Sequence, residues 1–165
     1  MVPDNGVRCK VNILILNGPN LNRLGMRKPE IYGTQTMAQI LLDIQRKWPD
    51  VHFVYYQSNH EGDLIDRIQE AGQCTIYHVQ CTKDKDERPS GIILNAGGYS
   101  HTSVALRDAV EESEVPVVEV HISDITKREP FRQTSLLTDV CAHSIIGKGT
   151  KGYEEAVEYI IALGC

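Results

Sequence analysis

The sequence has no closely paired cysteines. Its five, Cys9, Cys74, Cys81, Cys141 and Cys165, are scattered, and none of the gaps is a C-x-x-C spacing. An odd number without paired spacing argues against a disulfide framework and for free thiols in a reducing compartment. No apolar run is long enough to cross a bilayer, and residues 1–10 hold no apolar stretch of signal-peptide length. The expectation is a cytoplasmic protein with no membrane partner. A basic excess is missing too. The net charge of −5 argues against a nucleic-acid surface, which needs a basic stripe, but local cations can still hold a small anion in a cleft.

Signatures of metals and cofactors are equally scarce. There is no H-E-x-x-H, no EF-hand loop and no Cys/His cluster, so no metal is expected. There is no G-x-G-x-x-G and no G-x-x-x-x-G-K-[ST], and no Ser or Cys stands in a nucleophile elbow. No cofactor is expected. Internal repeats and linkers are absent. At 165 residues, 41% hydrophobic and 24% charged, the chain suits one domain over 1–165, with 1–10 a loosely ordered lead.

What is present is organised around residues 13–33. Ile13-Leu-Ile-Leu16 is short enough for one buried strand, and it breaks at Asn17-Gly18-Pro19-Asn20. A polar loop follows with Arg23, Arg27, Lys28 and Tyr32, punctuated by Gly25, Pro29 and Gly33, so neither helix nor strand is expected there. A buried strand that stops in a cationic, glycine-hinged loop suggests one wall of an active site with a movable flap; a plain surface connection is the alternative.

Strands are expected near 11–17, 51–57, 91–95, 116–121 and 143–147. Helices are expected from Thr34 or Thr36 to Pro49, after Ser58-Asn59, from Thr102 or Ser103, and over the final segment, where Tyr153, Ala156, Val157, Ile160 and Ile161 share a face. Cys74 to Cys81 either extends a helix or forms a short extra strand. Lys83 to Pro89 reads as a solvated charged loop, and 123–138 as loop or a short helical turn. Strands alternating with amphipathic helices give an α/β fold. The flavodoxin-like, doubly wound, five-stranded parallel sheet of order 2-1-3-4-5 with helices on both faces is the expected form.

On that frame, polar residues sit at four consecutive strand ends: Asn17 and Asn20, then Gln57 and Ser58, then Asn95 with His101, then Glu119, His121 and Ser123. Ligands of open α/β sheets bind outside the carboxyl ends of the strands, so these groups are expected to converge on one crevice. Glu119 and His121 are two apart on a strand and share a face. A carboxylate beside an imidazole fixes its tautomer and raises its pKa, giving a proton donor near neutrality. Tyr32 is a candidate base, but a phenol with pKa about 10 needs a cation at its oxygen. Arg27 is placed to supply one, alone or together with Arg23 or Lys28. Arg128 and Arg132, four apart, would clamp a carboxylate if that segment is helical. A base, an acid, amides and arginines together indicate proton transfer on a small anion.

Five segments resemble type II 3-dehydroquinate dehydratase in order and spacing. They are Asn17-Gly-Pro-Asn-Leu-Asn-Arg-Leu-Gly25, Arg27-Lys-Pro-Glu-Ile-Tyr-Gly33, Gln57-Ser-Asn-His-Glu-Gly62, Asn95 through Asp108, and Glu119-Val-His-Ile-Ser123. The similarity runs from about residue 11 to 163. It implies a lyase that reversibly dehydrates 3-dehydroquinate to 3-dehydroshikimate by anti elimination through an enolate, with no Schiff base. It implies Tyr32 as base, Arg27 as its activating cation, Asn20 as holder of a water at the enolate oxygen, and His121 as acid with Glu119 behind it. It implies Asn95, His101, Ile122, Ser123 and Arg132 as substrate contacts and Arg128 as part of a lid. It also implies Asp108 reaching a neighbouring subunit in a homododecamer built from trimers. Both shikimate biosynthesis, which leads to aromatic amino acids, and quinate breakdown use this reaction. Gly98-Tyr99-Ser100, Asp124 and a longer 73–90 connection depart from the family pattern.

Two readings compete with this one, a non-enzymatic flavodoxin-like module and a catalytically silent relative. A flavin protein should carry a phosphate loop after the first strand, where Pro19 instead removes a donor, and a receiver domain needs acids where Asn17 and Asn95 stand. A catalytically silent relative is opposed by the presence of Tyr32, Arg27 and His121.

Overall fold

Apolar runs without polar alternation become strands covered on both faces. The computed structural model describes residues 11–26, 28–72 and 88–164. Arg27, the 1–10 lead, the helix-or-strand reading of Cys74–Cys81 and most of the charged loop lie outside them. Within them, β1 (Asn12–Asn17), β3 (Gly91–Asn95) and β4 (Val117–His121) are buried along their whole length, while β2 (His52–Gln57) and β5 (His143–Ile146) are partly exposed. All pairs are parallel, in the order β2-β1-β3-β4-β5, so the exposed strands are the edges. β4 is central, as Val117 and Val118 indicated.

The two-residue period of a strand divides the core into two layers. Ile13, Ile15, Ile93, Val118 and Val120 pack on one side against α2 (Met37–Lys47) and α5 (Lys151–Leu163), through Ile40, Ile44, Tyr153, Ala156 and Ile160. Leu14, Leu16, Ile92, Leu94 and Val117 pack on the other against α3 (Glu61–Gly72) and α4 (Val104–Glu111), through Leu64, Ile68, Leu106 and Ala109. Thr36 rather than Thr34 caps α2, in a capping box with Gln39, and Ser103 rather than Thr102 caps α4. No helix among the described residues is long and apolar enough to cross a membrane.

One reading needs correction. The loop after β1 contains a 3-10 turn, Leu21–Arg23, and a one-turn helix, α1 (Pro29–Tyr32). Pro29 at the first helical position costs no hydrogen bond there, because that N–H has no intrahelical partner in any helix. Gly33 ends the turn at φ 80°, a backbone that favours glycine.

Candidate active site

In this strand order the connections run to opposite sides of the sheet from β1 and β3, and a crevice opens where they part. A cavity of about 120 Å³ lies there. Pro19 and Asn20 enter it from the β1 end, with Leu21, Leu24 and Tyr32 from the loop beyond. Asn95, Gly97, Gly98 and His101 come from the β3 end; His121, Ile122, Ser123, Ile125, Arg128 and Arg132 come from the β4 end. The walls meet because Gly18 N–H donates to the Asn95 carbonyl at 2.7 Å. A Cβ on Gly18 would stand 2.4 Å from the Ala96 carbonyl oxygen, so only glycine allows that approach.

Three of the expected strand-end groups do not face the cleft. Asn17 is wholly buried; its Oδ1 accepts the Tyr153 hydroxyl at 2.8 Å and its Nδ2 donates to Met37 Sδ at 3.3 Å. Gln57 Nε2 donates to the Gly18 carbonyl, and Ser58 Oγ donates to Asp63. These residues hold the loops rather than a ligand. Tyr153 also accepts from Asn95 Nδ2 at 3.0 Å, which orients that amide from beneath the cleft. Burial raises the Tyr153 phenol far above its ordinary range, so it stays a neutral strut.

Glu119 has no exposed surface and lies behind His121. Its Oε1 accepts His121 Nε2–H at 2.7 Å and the Ser135 hydroxyl; its Oε2 accepts Thr138 at 2.8 Å and Ser144 at 2.9 Å. Burial alone would raise this carboxyl. The bonds from His121, Ser135 and Thr138 outweigh it and hold the group at about 2. An ionised carboxylate accepts only, so Nε2 carries hydrogen and Nδ1 is the nitrogen left for a ligand. The His101 ring stacks on His121 with centroids 6.1 Å apart. His101 Nδ1 donates to the Thr134 carbonyl at 2.8 Å, and burial pushes its pKa below the ordinary histidine value. At neutral pH His101 therefore offers an acceptor at Nε2.

A carboxyl that ionises more readily folded than unfolded adds stability above its ordinary value near 4.5. That stability is withdrawn as pH falls through 4.5 toward 2. Glu119→Gln should accordingly be less stable than the native chain at pH 6, by at most about 3 kcal/mol. The gap should close between pH 4.5 and 2. Urea unfolding at a series of pH values checks this, and a gap unchanged across that range contradicts it.

Tyr32 ends α1 half-buried in the cleft wall. Its hydroxyl accepts from Arg128 Nη1 at 3.3 Å, and the guanidinium carbon lies 5.8 Å from the ring centroid. The same Nη1 donates to Ser123 Oγ at 3.1 Å. The sequence places Arg27 at this oxygen, alone or together with Arg23 or Lys28. Arg23 and Lys28 do not line the cleft, and Arg27 lies outside the described residues. Ninety-six residues separate Tyr32 from Arg128, so no local pattern marked the pair.

Arg128 and Arg132 do come together, though not along one helix. Arg128 is extended between two 3-10 turns, Ile125–Lys127 and Pro130–Arg132. Glu129 Oε2 draws both, at 3.3 Å from Arg128 Nε and 3.4 Å from Arg132 Nε. Arg132 Nε is within ion-pair range but outside hydrogen-bond geometry, and it is buried with no hydrogen-bond partner. A partly exposed guanidinium whose buried Nε has no hydrogen-bond partner, standing beside a cleft, suits an anionic ligand. Asp124 turns its carboxylate to Thr126 and Lys127 and does not line the cavity. Asp108 lies exposed on α4, outside the cavity of this chain. Cys141 is a free thiol, pushed up to about 12 by burial and so inert at neutral pH; the other four cysteines lie outside the described residues.

The family model described as "Dehydroquinase class II" matches residues 11–161. The 3-dehydroquinate dehydratase of Bacillus subtilis (strain 168) is 45% identical over 153 residues, covering 92% of this chain and 94% of that one. The catabolic 3-dehydroquinase of Clavispora lusitaniae is 43% identical over 152 residues, covering 90% and 96%. The crystal structure of type II dehydroquinase from Butyrivibrio crossotus superposes with a TM-score of 0.79 at 39% identity, covering 92% of this chain and 97% of the other. With the sheet order and cleft described above, these matches show that the chain belongs to the class II dehydroquinase family.

Proposed function

We propose that the chain catalyses the reversible dehydration of 3-dehydroquinate to 3-dehydroshikimate, by anti elimination through an enolate. The observation that carries this is the pairing, in one cleft, of a cation-bound phenol with a carboxylate-locked imidazole. The ionised Tyr32 oxygen removes the C2 proton, and the bonding pair moves toward the C3 ketone to give the enolate. Asn20, through a water molecule, stabilises the enolate oxygen. As the enolate collapses, a C1–C2 double bond forms, and the C1–O bond breaks with a proton from His121 Nδ1, releasing water. Base and acid start in opposite charge states, as one elimination requires. Arg128, and Arg27 with it, favours the phenolate; Asn95, His101, Ile122, Ser123 and Arg132 hold the substrate, with Arg132 toward its carboxylate.

We further propose the homododecamer of trimers, with Asp108 entering a neighbouring site. Val104, 60% exposed, lies one helical turn from Asp108 on α4, so that face sets one exposed apolar side chain beside an acid.

The activity is tested by following the ultraviolet absorbance of the conjugated enone as dehydroquinate is consumed. Absence of the enone in an assay of folded protein overturns the assignment. No lysine of the described residues lines the cleft, so borohydride added with substrate should leave activity intact, and EDTA should as well. Trapping of a lysine–substrate adduct, or loss of activity to the chelator, contradicts the enolate route.

A further inference from the structure

Of the five segments that carry the resemblance, Gln57-Ser-Asn-His-Glu-Gly62 is the one with no described residue lining the cavity. Its Asn59 nevertheless touches the backbone of a residue that does. Asn20 is a non-glycine residue in the left-handed region, at φ 68° and ψ −1°. L residues pay for that conformation, asparagine less than most. No side-chain capping bond holds it at the start of its 3-10 turn. Instead its N–H donates to Asn59 Oδ1 at 2.9 Å.

Asn59 is itself fixed from two sides. Gln57 Nε2 donates to the same Oδ1 at 3.2 Å and to the Gly18 carbonyl at 3.2 Å, so one amide ties the β1 and β2 ends together. The Tyr99 hydroxyl, at the β3 end, donates to the Asn59 carbonyl at 2.8 Å. The Tyr99 ring packs on the α3/α4 side of the core. Three strand ends thus meet at Asn59, and what they hold is the backbone angle that presents Asn20 to the cleft.

We propose that Asn59 is a positioning residue for turnover, its side-chain carbonyl holding Asn20 in the left-handed conformation that aims its amide at the developing enolate oxygen, with Tyr99 bracing Asn59. This rests on the role given to Asn20 above. Losing the acceptor frees Asn20 to relax to more favourable backbone angles. The preorganisation that matters in the transition state is then lost, while ground-state contacts made by Arg132, Ser123 and His101 remain.

The test is a kinetic cycle of Asn59→Ala, Asn20→Ala and the double variant, with Asn59→Asp, which keeps the acceptor oxygen, and melting temperatures for each. Asn59→Ala should lower kcat roughly tenfold with KM nearly unchanged. Asn59→Asp should restore most of it. The double variant should be no slower than Asn20→Ala alone, since Asn59 acts only through Asn20. Tyr99→Phe should lower kcat by a smaller factor. If Asn20→Ala is slow but Asn59→Ala turns over normally, or if the two losses multiply, the positioning role is wrong while the elimination mechanism stands. If Asn20→Ala itself turns over normally, the enolate role of Asn20 falls and this inference falls with it.

Discussion

Tyr32→Phe should lower kcat by a factor on the order of 10³ while dehydroquinate still binds. The ring that packs against the core is kept, and only the oxygen bonded by Arg128 is removed. A loss confined to turnover is what deletion of a base predicts, because the proposed substrate contacts lie on the β3 and β4 ends. The two candidate cations can be separated in the same experiment. Arg128 bonds both Tyr32 and Ser123, so Arg128→Ala should raise KM and lower kcat together. Arg27→Ala should lower kcat by several orders of magnitude with binding retained. A phenylalanine variant with near-native turnover, once shown to be folded, contradicts the assignment of the base.

His121→Ala should be as severe, again on the order of 10³, because no donor then meets the departing hydroxyl. Glu119→Gln should cost less. The imidazole remains, but the carboxylate that fixes its Nε2–H is replaced by an amide that can present either a donor or an acceptor. Ser135, Thr138 and Ser144 can still anchor that amide, since hydroxyls donate or accept as needed. A purely structural pair forecasts something different: both variants melt lower, and both keep kcat per folded molecule. Turnover and melting temperature measured on the same preparations decide between the two.

The sheet was legible because its central strands are buried on both faces, and Ile13–Leu16, Ile92–Leu94 and Val117-Val118 read as apolar stretches. Glu119 and His121 were legible for the same reason, since a period of two puts them on one face wherever the strand lies. Contacts made across the fold were not. The Tyr32–Arg128 bond joins two loops far apart in the chain, and the hydroxyls that hold Glu119 come from 16 to 25 residues away, on loop and edge strand. Asn17 read as a site residue because it ends a strand, yet the buried phenol of Tyr153 claims its amide. Tyr153 showed only as a member of an apolar face. The one-turn helix at Pro29 was hidden by the Gly and Pro around it, although Pro at a helix start is itself a signal.

The central claim is that Tyr32 and His121 act on opposite faces of the substrate, as base and acid of an anti elimination. Dehydroquinate carrying deuterium at C2 only at the position anti to the C1 hydroxyl tests it directly. The account predicts that the 3-dehydroshikimate formed has lost the label, with turnover slowed when proton abstraction limits the rate. Product that retains the deuterium would contradict it, because the proton would then have been taken from the same face as the leaving hydroxyl.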